Sequence, residues 1–373
     1  MDTEERLTNH CNDRRRLLGA MLIGAGGLAA AGSPGVAHAQ STAGHGDHET
    51  PPWVIDRFIR IPNVPVGPYS DSLALDLGRK RLFATPQAAK SVAVIDLATG
   101  KVIRMMDGIG NPHGIIFDAK QDRLLVVDGA AGDLKVFSGK DYAPLKSIPL
   151  HPGADMAAYN PQTRTYYVNA SGEGSGPDRS TISAIDIDGL RKTADIPIAS
   201  AVLEGSVVDP DSRRLYVALR EQSAVAAIDL ADRRVVATWK MPRAEQVTWV
   251  MAPDAASSRL FVVCRNAVHE TAMQGSIVVL DTRSGRVVQD LPIGGWADSI
   301  FIDRRRRRLY VSTGVGFVET YSIDGNDSYR RLPRVETAVL AKTSLYSPEL
   351  DRLFVTVPRL GTADARIIVL KPA

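Results

Sequence analysis

From residue 69 onward the chain repeats one phrase: a turn, then a polar residue, then a run of four mainly apolar residues. The copies open at Arg81, Arg123, Thr165, Arg214, Arg259, Arg308 and Arg352, and read as Arg81-Leu82-Phe83-Ala84-Thr85 or Arg308-Leu309-Tyr310-Val311-Ser312. Their first apolar residues lie 42 to 49 positions apart. A continuous apolar run of this length between turn signals predicts a strand buried on both faces. Each copy is followed by a second apolar segment, at Val92 to Leu97, Leu134 to Ser138, Ile182 to Ile187, Val225 to Leu230, Ile277 to Thr282, Val318 to Ile323 and Ile367 to Leu370. Turns such as Ala98-Thr99-Gly100-Lys101 and Arg283-Ser284-Gly285-Arg286 lead into a third strand, and a further strand precedes each phrase, as in Gly114-Ile115-Ile116-Phe117-Asp118. Four antiparallel strands recurring every 40 to 50 residues or so make a propeller blade. The predicted fold is therefore all-β, a seven-bladed β-propeller spanning residues 53–373.

The two ends of the repeat predict how the ring closes. The seventh unit stops at Lys371-Pro372-Ala373, before its outer strand. The segment Val54 to Pro62 has the look of outer strands such as Arg234-Val235-Val236-Ala237-Thr238-Trp239, and is expected to complete the last blade. Closure of this kind removes the open sheet edges that drive aggregation.

Residues 1–39 read as an export signal peptide. Arg14-Arg15-Arg16-Leu17-Leu18 precedes an apolar, Gly/Ala-rich run from Gly19 to Gly32, and Ala37-His38-Ala39 is an A-x-A cleavage site. The paired arginines resemble the twin-arginine motif S/T-R-R-x-F-L-K, with Asp13, Leu17 and Gly19 replacing its Ser/Thr, Phe and Lys. The apolar run is shorter than the ~20 residues that span a bilayer, so no transmembrane segment is expected in the mature chain. Periplasmic or secreted location follows as an expectation. Residues 40–52 read as a flexible linker, in which His45, Asp47, His48 and Glu49 form either a weak metal-catching tract or a plain solvated tail.

Composition adds the size of the core and removes some partners. With 44% hydrophobic and 23% charged residues, the chain has enough apolar surface for a packed interior. The net charge of +3 is unchanged by removal of residues 1–39, which carry four acids and four arginines. So small an excess disfavours nucleic acid as a partner. Cys11 leaves with the signal, so the lone Cys264 reads as a small buried apolar residue and no disulfide scaffold is possible. A monomer is expected.

The stretch Ser91-Val92-Ala93-Val94-Ile95-Asp96-Leu97-Ala98-Thr99-Gly100-Lys101-Val102-Ile103, followed by Gly110-Asn111-Pro112-His113-Gly114-Ile115, resembles the YVTN-type β-propeller repeat proteins. Their broader group includes the bacterial YncE-like periplasmic proteins. The resemblance covers residues 53–373 and implies the fold. For function it implies several outcomes: binding and accessory proteins, lactonases, a streptogramin lyase, propeller subunits of amine dehydrogenases, and DNA binding in YncE-like members. The chain has no C-x-x-C-H, H-E-x-x-H or G-x-S-x-G, and Gly172-Glu173-Gly174-Ser175-Gly176 reads as a loop, not a dinucleotide site.

Propeller sites usually lie at the mouth of the central channel. Counting eleven residues back from the first apolar residue of each phrase gives Asp71, His113, Asp155, Glu204, Asp298 and Lys342. In the fifth blade two extra residues assigned to the Pro253 to Ser258 turn put Val247 in that place. These side chains are the expected ligand-binding ring. His113, Asp155, Glu204 and Asp298 are the candidate metal ligands, for Ca²⁺ or for another divalent cation such as Zn²⁺ or Mn²⁺. Clustered acids also raise one another's pKa, the condition for general acid or base chemistry. The alternative is a solvated funnel that binds only water. Two long loops, Asn169 to Ser180 and Arg265 to Gly275, add Arg265, Asn266, His269 and Glu270 as weaker contacts. Trp249 and Trp296 read as core packing, with a stacking platform for a ring-shaped ligand as the alternative, and the run Arg304 to Arg308 reads as a solvated turn on the opposite face. The expected function is an exported binding module for a small ligand, metal ion or periplasmic partner protein. A metal-dependent lactonase-like hydrolase is the competing class, and nucleic-acid binding the third.

Overall fold

The computed structural model describes residues 50–67, 70–172, 179–209, 211–266, 274–325 and 327–373. The described residues form one compact unit. Its strands assemble into seven four-stranded antiparallel sheets, so the chain is a seven-bladed β-propeller. The innermost strands are Ser70–Asp76, Pro112–Asp118, Ala154–Asn160, Leu203–Asp209, Gln246–Asp254, Ser299–Asp303 and Ser344–Ser347. Each touches its neighbours around the channel, including Ser344–Ser347 against Ser70–Asp76. The seventh blade is closed by Trp53–Arg60, which pairs with Arg366–Pro372 from Trp53 opposite Pro372 to Arg60 opposite Arg366. Residues 1–39, read from the sequence as an export signal, and residues 40–49, with His45, Asp47, His48 and Glu49, lie outside the described residues. Pro52 is buried, and its carbonyl accepts a hydrogen bond from the Ala373 amide.

The repeated phrase is apolar without alternation because both faces of a blade are covered. Arg214–Leu219 and Arg352–Val357 are buried at every position after the arginine. Seven apolar clusters fill the seven spaces between blades. Phe83, Val92 and Val94 of the first blade pack on Ile115, Leu124 and Phe137 of the second. Phe354, Ile367 and Val369 of the seventh pack on Leu82 and Ile95 of the first, so the core runs round the ring without a gap. Cys264, the one cysteine among the described residues, lies in the cluster between the fourth and fifth blades, where burial pushes its thiol up.

The hairpins on the face opposite the mouth share one geometry. The residue just before each phrase has φ between 51° and 55°: Lys80, Asp122, Arg164, Arg213, Ser258, Arg307 and Asp351. None is glycine, so the left-handed conformation is held by the turn's own bonds. Asp76, Asp118, Asn160, Asp209 and Asp303 end their strands and accept backbone N–H groups of the turn with the side chain. The Arg304 to Arg308 run departs from its expectation as a solvated turn. Arg304 and Arg305 do face solvent, but the Arg306 side chain is only 23% exposed and forks onto Asp351 of the seventh blade at 2.8 and 2.6 Å. Arg79 to Asp122 and Arg259 to Asp327 are like bridges between other blades.

Candidate functional site

In blades one to five the innermost strand carries a β-bulge near its start. The register skips between Ser70 and Leu73, Pro112 and Ile115, Ala154 and Ala157, Leu203 and Ser206, and Thr248 and Met251. A bulge sets two residues against one and re-aims a side chain. The first bulged residues are Asp71, His113, Asp155, Glu204 and Trp249. Asp298 directly precedes the sixth inner strand, and Lys342 lies two residues before the seventh. The fifth blade is a correction: residues 255–258 form the same four-residue turn between Asp254 and Arg259 that residues 77–80 form between Asp76 and Arg81. No residues are inserted there, so the eleven-residue count falls on Trp249, and Val247 pairs with Arg265 farther back.

The ring divides into two clusters. On one side the His113 ring bridges three blades, with Nδ1 2.8 Å from Asp71 Oδ2 and 2.7 Å from Asp155 Oδ1. Gln87 approaches the same nitrogen at 3.1 Å, and the Asn111 amide lies 2.8 Å from Nε2. Gly129 makes room for this ring, since a Cβ there would stand 2.8 Å from both His113 Cδ2 and the Ala154 carbonyl. Burial opposes a charge on His113, but the Asp155 and Asp71 carboxylates outweigh it and hold the imidazole well above its ordinary range. Burial, with Asp155 adding to it, raises Asp71.

On the other side Asp298 gathers the cations. Its carboxylate accepts Trp249 Nε1 at 2.6 Å and pairs with Arg265 at 2.8 Å and Lys342 Nζ at 2.9 Å. Lys342 is 1% exposed. Burial would raise Asp298, yet Lys342 and Arg265 prevail and its pKa is lowered. The Arg265 guanidinium stacks 3.4 Å from the Trp249 ring centroid, with Arg220 5.1 Å away. Arg220 also reaches Glu204 at 3.4 Å. Burial pushes the Glu204 carboxyl up to about 7, Arg220 works against it, and Asp155 adds to the rise.

That shift carries a stability consequence. A carboxyl whose folded pKa exceeds its unfolded value penalises the folded state as pH rises from the unfolded pKa to the folded one. Wild-type stability should therefore decline between about pH 4.5 and 7, by up to roughly 3 kcal/mol at 1.36 kcal/mol per pKa unit. Glu204→Gln should flatten this slope, matching wild type near pH 4 and exceeding it at pH 8. Urea melts of both proteins across that range measure it, and parallel slopes would refute it.

All six ring residues read from the sequence thus reach the mouth, together with Arg265. Asn266 ends the same strand as Arg265. His269 and Glu270 lie outside the described residues. Of the four candidate metal ligands, His113 and Asp155 come together with Asp71, whereas Glu204 and Asp298 are engaged by arginine and lysine. Gln87, Arg220 and Asn111 escaped the sequence reading. A signal for two of them exists: Gln87, Gly129, Arg220 and Arg265 each stand five residues after the first apolar residue of their phrase. Trp249 is more than core packing: its Nε1 donates to Asp298 and its ring stacks under Arg265. His151 pairs with Asp195 at 3.1 Å, apart from both clusters.

No protein-family profile and no curated protein matches the chain. Solved structures do. A chain of hydrazine synthase from Kuenenia stuttgartiensis is similar over 86% of this chain and 96% of its own, at 17% identity and TM-score 0.64. A chain of the Mitotic Checkpoint Complex is similar over 92% and 98%, at 11% identity and TM-score 0.67. The RRP9 WD40 repeats are similar over 85% and 97%, at 9% identity and TM-score 0.67. Likeness at such low identity establishes the propeller fold and nothing finer. Among the described residues no helix is long and apolar enough to cross a membrane.

Proposed function

We propose that the protein is an exported propeller of the YVTN type that binds a small polar ligand at its channel mouth, alone or presented to a partner protein. One observation carries the reading: bulges in successive inner strands aim one functional side chain per blade at a common mouth. A bulge disrupts ladder hydrogen bonds, and buried charges such as Lys342 and Asp298 forgo hydration, so the arrangement is costly for a surface that meets only water. Convergent polar groups in a concave opening on a rigid scaffold are the usual form of a small-molecule site. The competing hydrolase reading has one point in its favour, the Glu204 carboxyl held near neutrality, and it falls on the same mouth.

Native mass spectrometry of protein recovered from the periplasmic fraction tests this directly. The expected species begins at Gln40 and carries a small-molecule mass in excess of the polypeptide. That excess should vanish in Trp249→Ala and persist in Arg306→Ala on the opposite face, with circular dichroism confirming that both variants fold. A bare polypeptide mass in wild type, or an excess that survives Trp249→Ala, would overturn the proposal.

A further inference from the structure

An arginine opens the repeated phrase in six of the seven blades, and in five of them it has a partner side chain. Arg81 donates to the Tyr142 hydroxyl, Arg123 faces Asp118 at 3.9 Å, Arg214 pairs with Asp229 at 2.7 Å, Arg259 with Asp281 at 2.9 Å and Arg352 with Asp56 at 3.7 Å. Among the described residues the Arg308 side chain has no hydrogen-bond or ion-pair partner. The strand register gives the reason. Arg214 and Arg259 stand opposite Asp229 and Asp281 on the next strand, whereas Arg308 stands opposite Ser322. Arg123 also stands opposite a serine, Ser138, and faces the acid that ends its own inner strand. In the sixth blade that acid is Asp303, which is engaged by Arg306 and by the Tyr310 hydroxyl.

Arg308 instead lines a cavity of about 430 Å³ on the face opposite the channel mouth. Arg306, Arg307 and Arg330 line it too, and Asp324 is the one carboxylate among the lining residues. Asp324 accepts the Ser322 hydroxyl at 3.0 Å, and Arg306 is held by Asp303 and Asp351. Arg307, like Arg308, has no partner side chain among the described residues. Its guanidinium lies over Gly325, where φ is +86° and a Cβ would stand 3.2 Å from Nη2, so a side chain there would crowd it. Like charges gathered in one cavity repel, and an anion between them reverses the sign of the interaction.

The donors select the anion. A guanidinium is a planar fork that matches carboxylate or phosphate oxygens two at a time. A carboxylate, with two oxygens and a single charge, fills one fork. A terminal phosphoryl group has three acceptor oxygens and a charge of about −1.5 to −2 near pH 7, enough for two. We propose that this cavity binds a phosphate monoester, as a soluble ester or as a lipid headgroup, with Arg307 and Arg308 holding the phosphoryl oxygens. The site is separate from the channel mouth and does not depend on the ligand reading of that mouth.

An open cavity exchanges its ligand quickly, so the test is a titration. The mature protein is titrated with phenyl phosphate by calorimetry, and mixed with phosphatidylcholine vesicles carrying phosphatidic acid, a monoester, or phosphatidylglycerol, a diester. One phosphate monoester should bind per chain, more weakly as added salt rises and as pH falls below about 6, where the phosphoryl group gains a proton. Arg308→Lys keeps the charge and loses the fork, and should weaken binding roughly tenfold. With no partner side chain to lose, this variant should melt with wild type. Asp324→Asn removes the repelling carboxylate and should tighten binding about threefold, an outcome that damage to the fold would not produce. Trp249→Ala, at the mouth, should leave the titration unchanged. A response to phenyl phosphate assigns the site to a soluble ester, and sedimentation with phosphatidic acid vesicles alone assigns it to a lipid headgroup; each supports the proposal. No saturable binding of either monoester, equal binding of phosphatidylglycerol, or binding untouched by Arg308→Lys would each overturn it.

Discussion

Deleting residues 53–60 is expected to abolish recovery of soluble, folded protein, although it removes only one of four strands from one blade. The strand pairs with Arg366–Pro372 along its whole length, so its loss exposes a row of unpaired backbone groups on a long, apolar strand. It also opens two inter-blade cores. Trp53 is buried edge-on against Tyr310 and Tyr346, with ring centroids 4.9 and 6.0 Å away. Ile59 is fully buried between the seventh and first blades. Trp53→Ala keeps the strand and removes the largest of these anchors, and should lower unfolding free energy by about 3–5 kcal/mol. The urea midpoint should then fall while the slope of the transition holds. A deletion variant that elutes as a monomer and melts with wild type would show that the ring does not depend on this closure.

Replacing Asp298 should be the most damaging single change at the mouth. Asp298→Ala removes a carboxylate partner of Lys342, which is 1% exposed, together with one of the partners of Arg265 and the acceptor of Trp249 Nε1. Breaking a buried pair on one side leaves an uncompensated charge and typically costs 3–5 kcal/mol or so. Asp298→Asn retains an acceptor for Trp249 and should lose less. In Asp298→Ala combined with Lys342→Met the buried ammonium is gone along with its carboxylate, and much of the stability should return. Acid sensitivity follows in the same direction. The Asp298 pKa is lowered in the folded state, so its contribution is complete above the unfolded carboxylate pKa and is lost as pH falls below it. Denaturant melts of the single and double variants at neutral pH give the coupling energy, and additive losses would show that the pair is not a buried unit.

The blade count and the ring closure were legible because both rest on local signals repeated seven times. An apolar run flanked by turns marks the same strand in every blade, and the missing outer strand at the C-terminus has an obvious counterpart at the N-terminus. The six ring positions followed from a fixed offset, since the hairpin between the first and second strands has the same four-residue turn in each blade. The one slip, at Trp249, came from reading an insertion into residues 253–258 that the pairing of Asp254 with Arg259 excludes. Arg306 was misread for a different reason. A run of five arginines looks alike whether solvated or bridging, and its partner Asp351 lies 45 residues away on the next blade.

By itself the sequence determined the fold class, the number of blades, the strand that closes the ring and which residue types face the channel. These depend on periodicity and turn chemistry, which act between residues close along the chain. Only the tertiary structure decided which of those residues meet. Asp71, His113 and Asp155 stand 42 residues apart in steps, yet His113 Nδ1 lies within hydrogen-bonding reach of both carboxylates, while Glu204 and Asp298 went to Arg220, Arg265 and Lys342. The strength of a charge contact changes steeply over a few ångströms and with burial. Such distances across a channel are set by the closed ring as a whole, through blade tilt, bulge and packing, and no segment of the chain holds them alone.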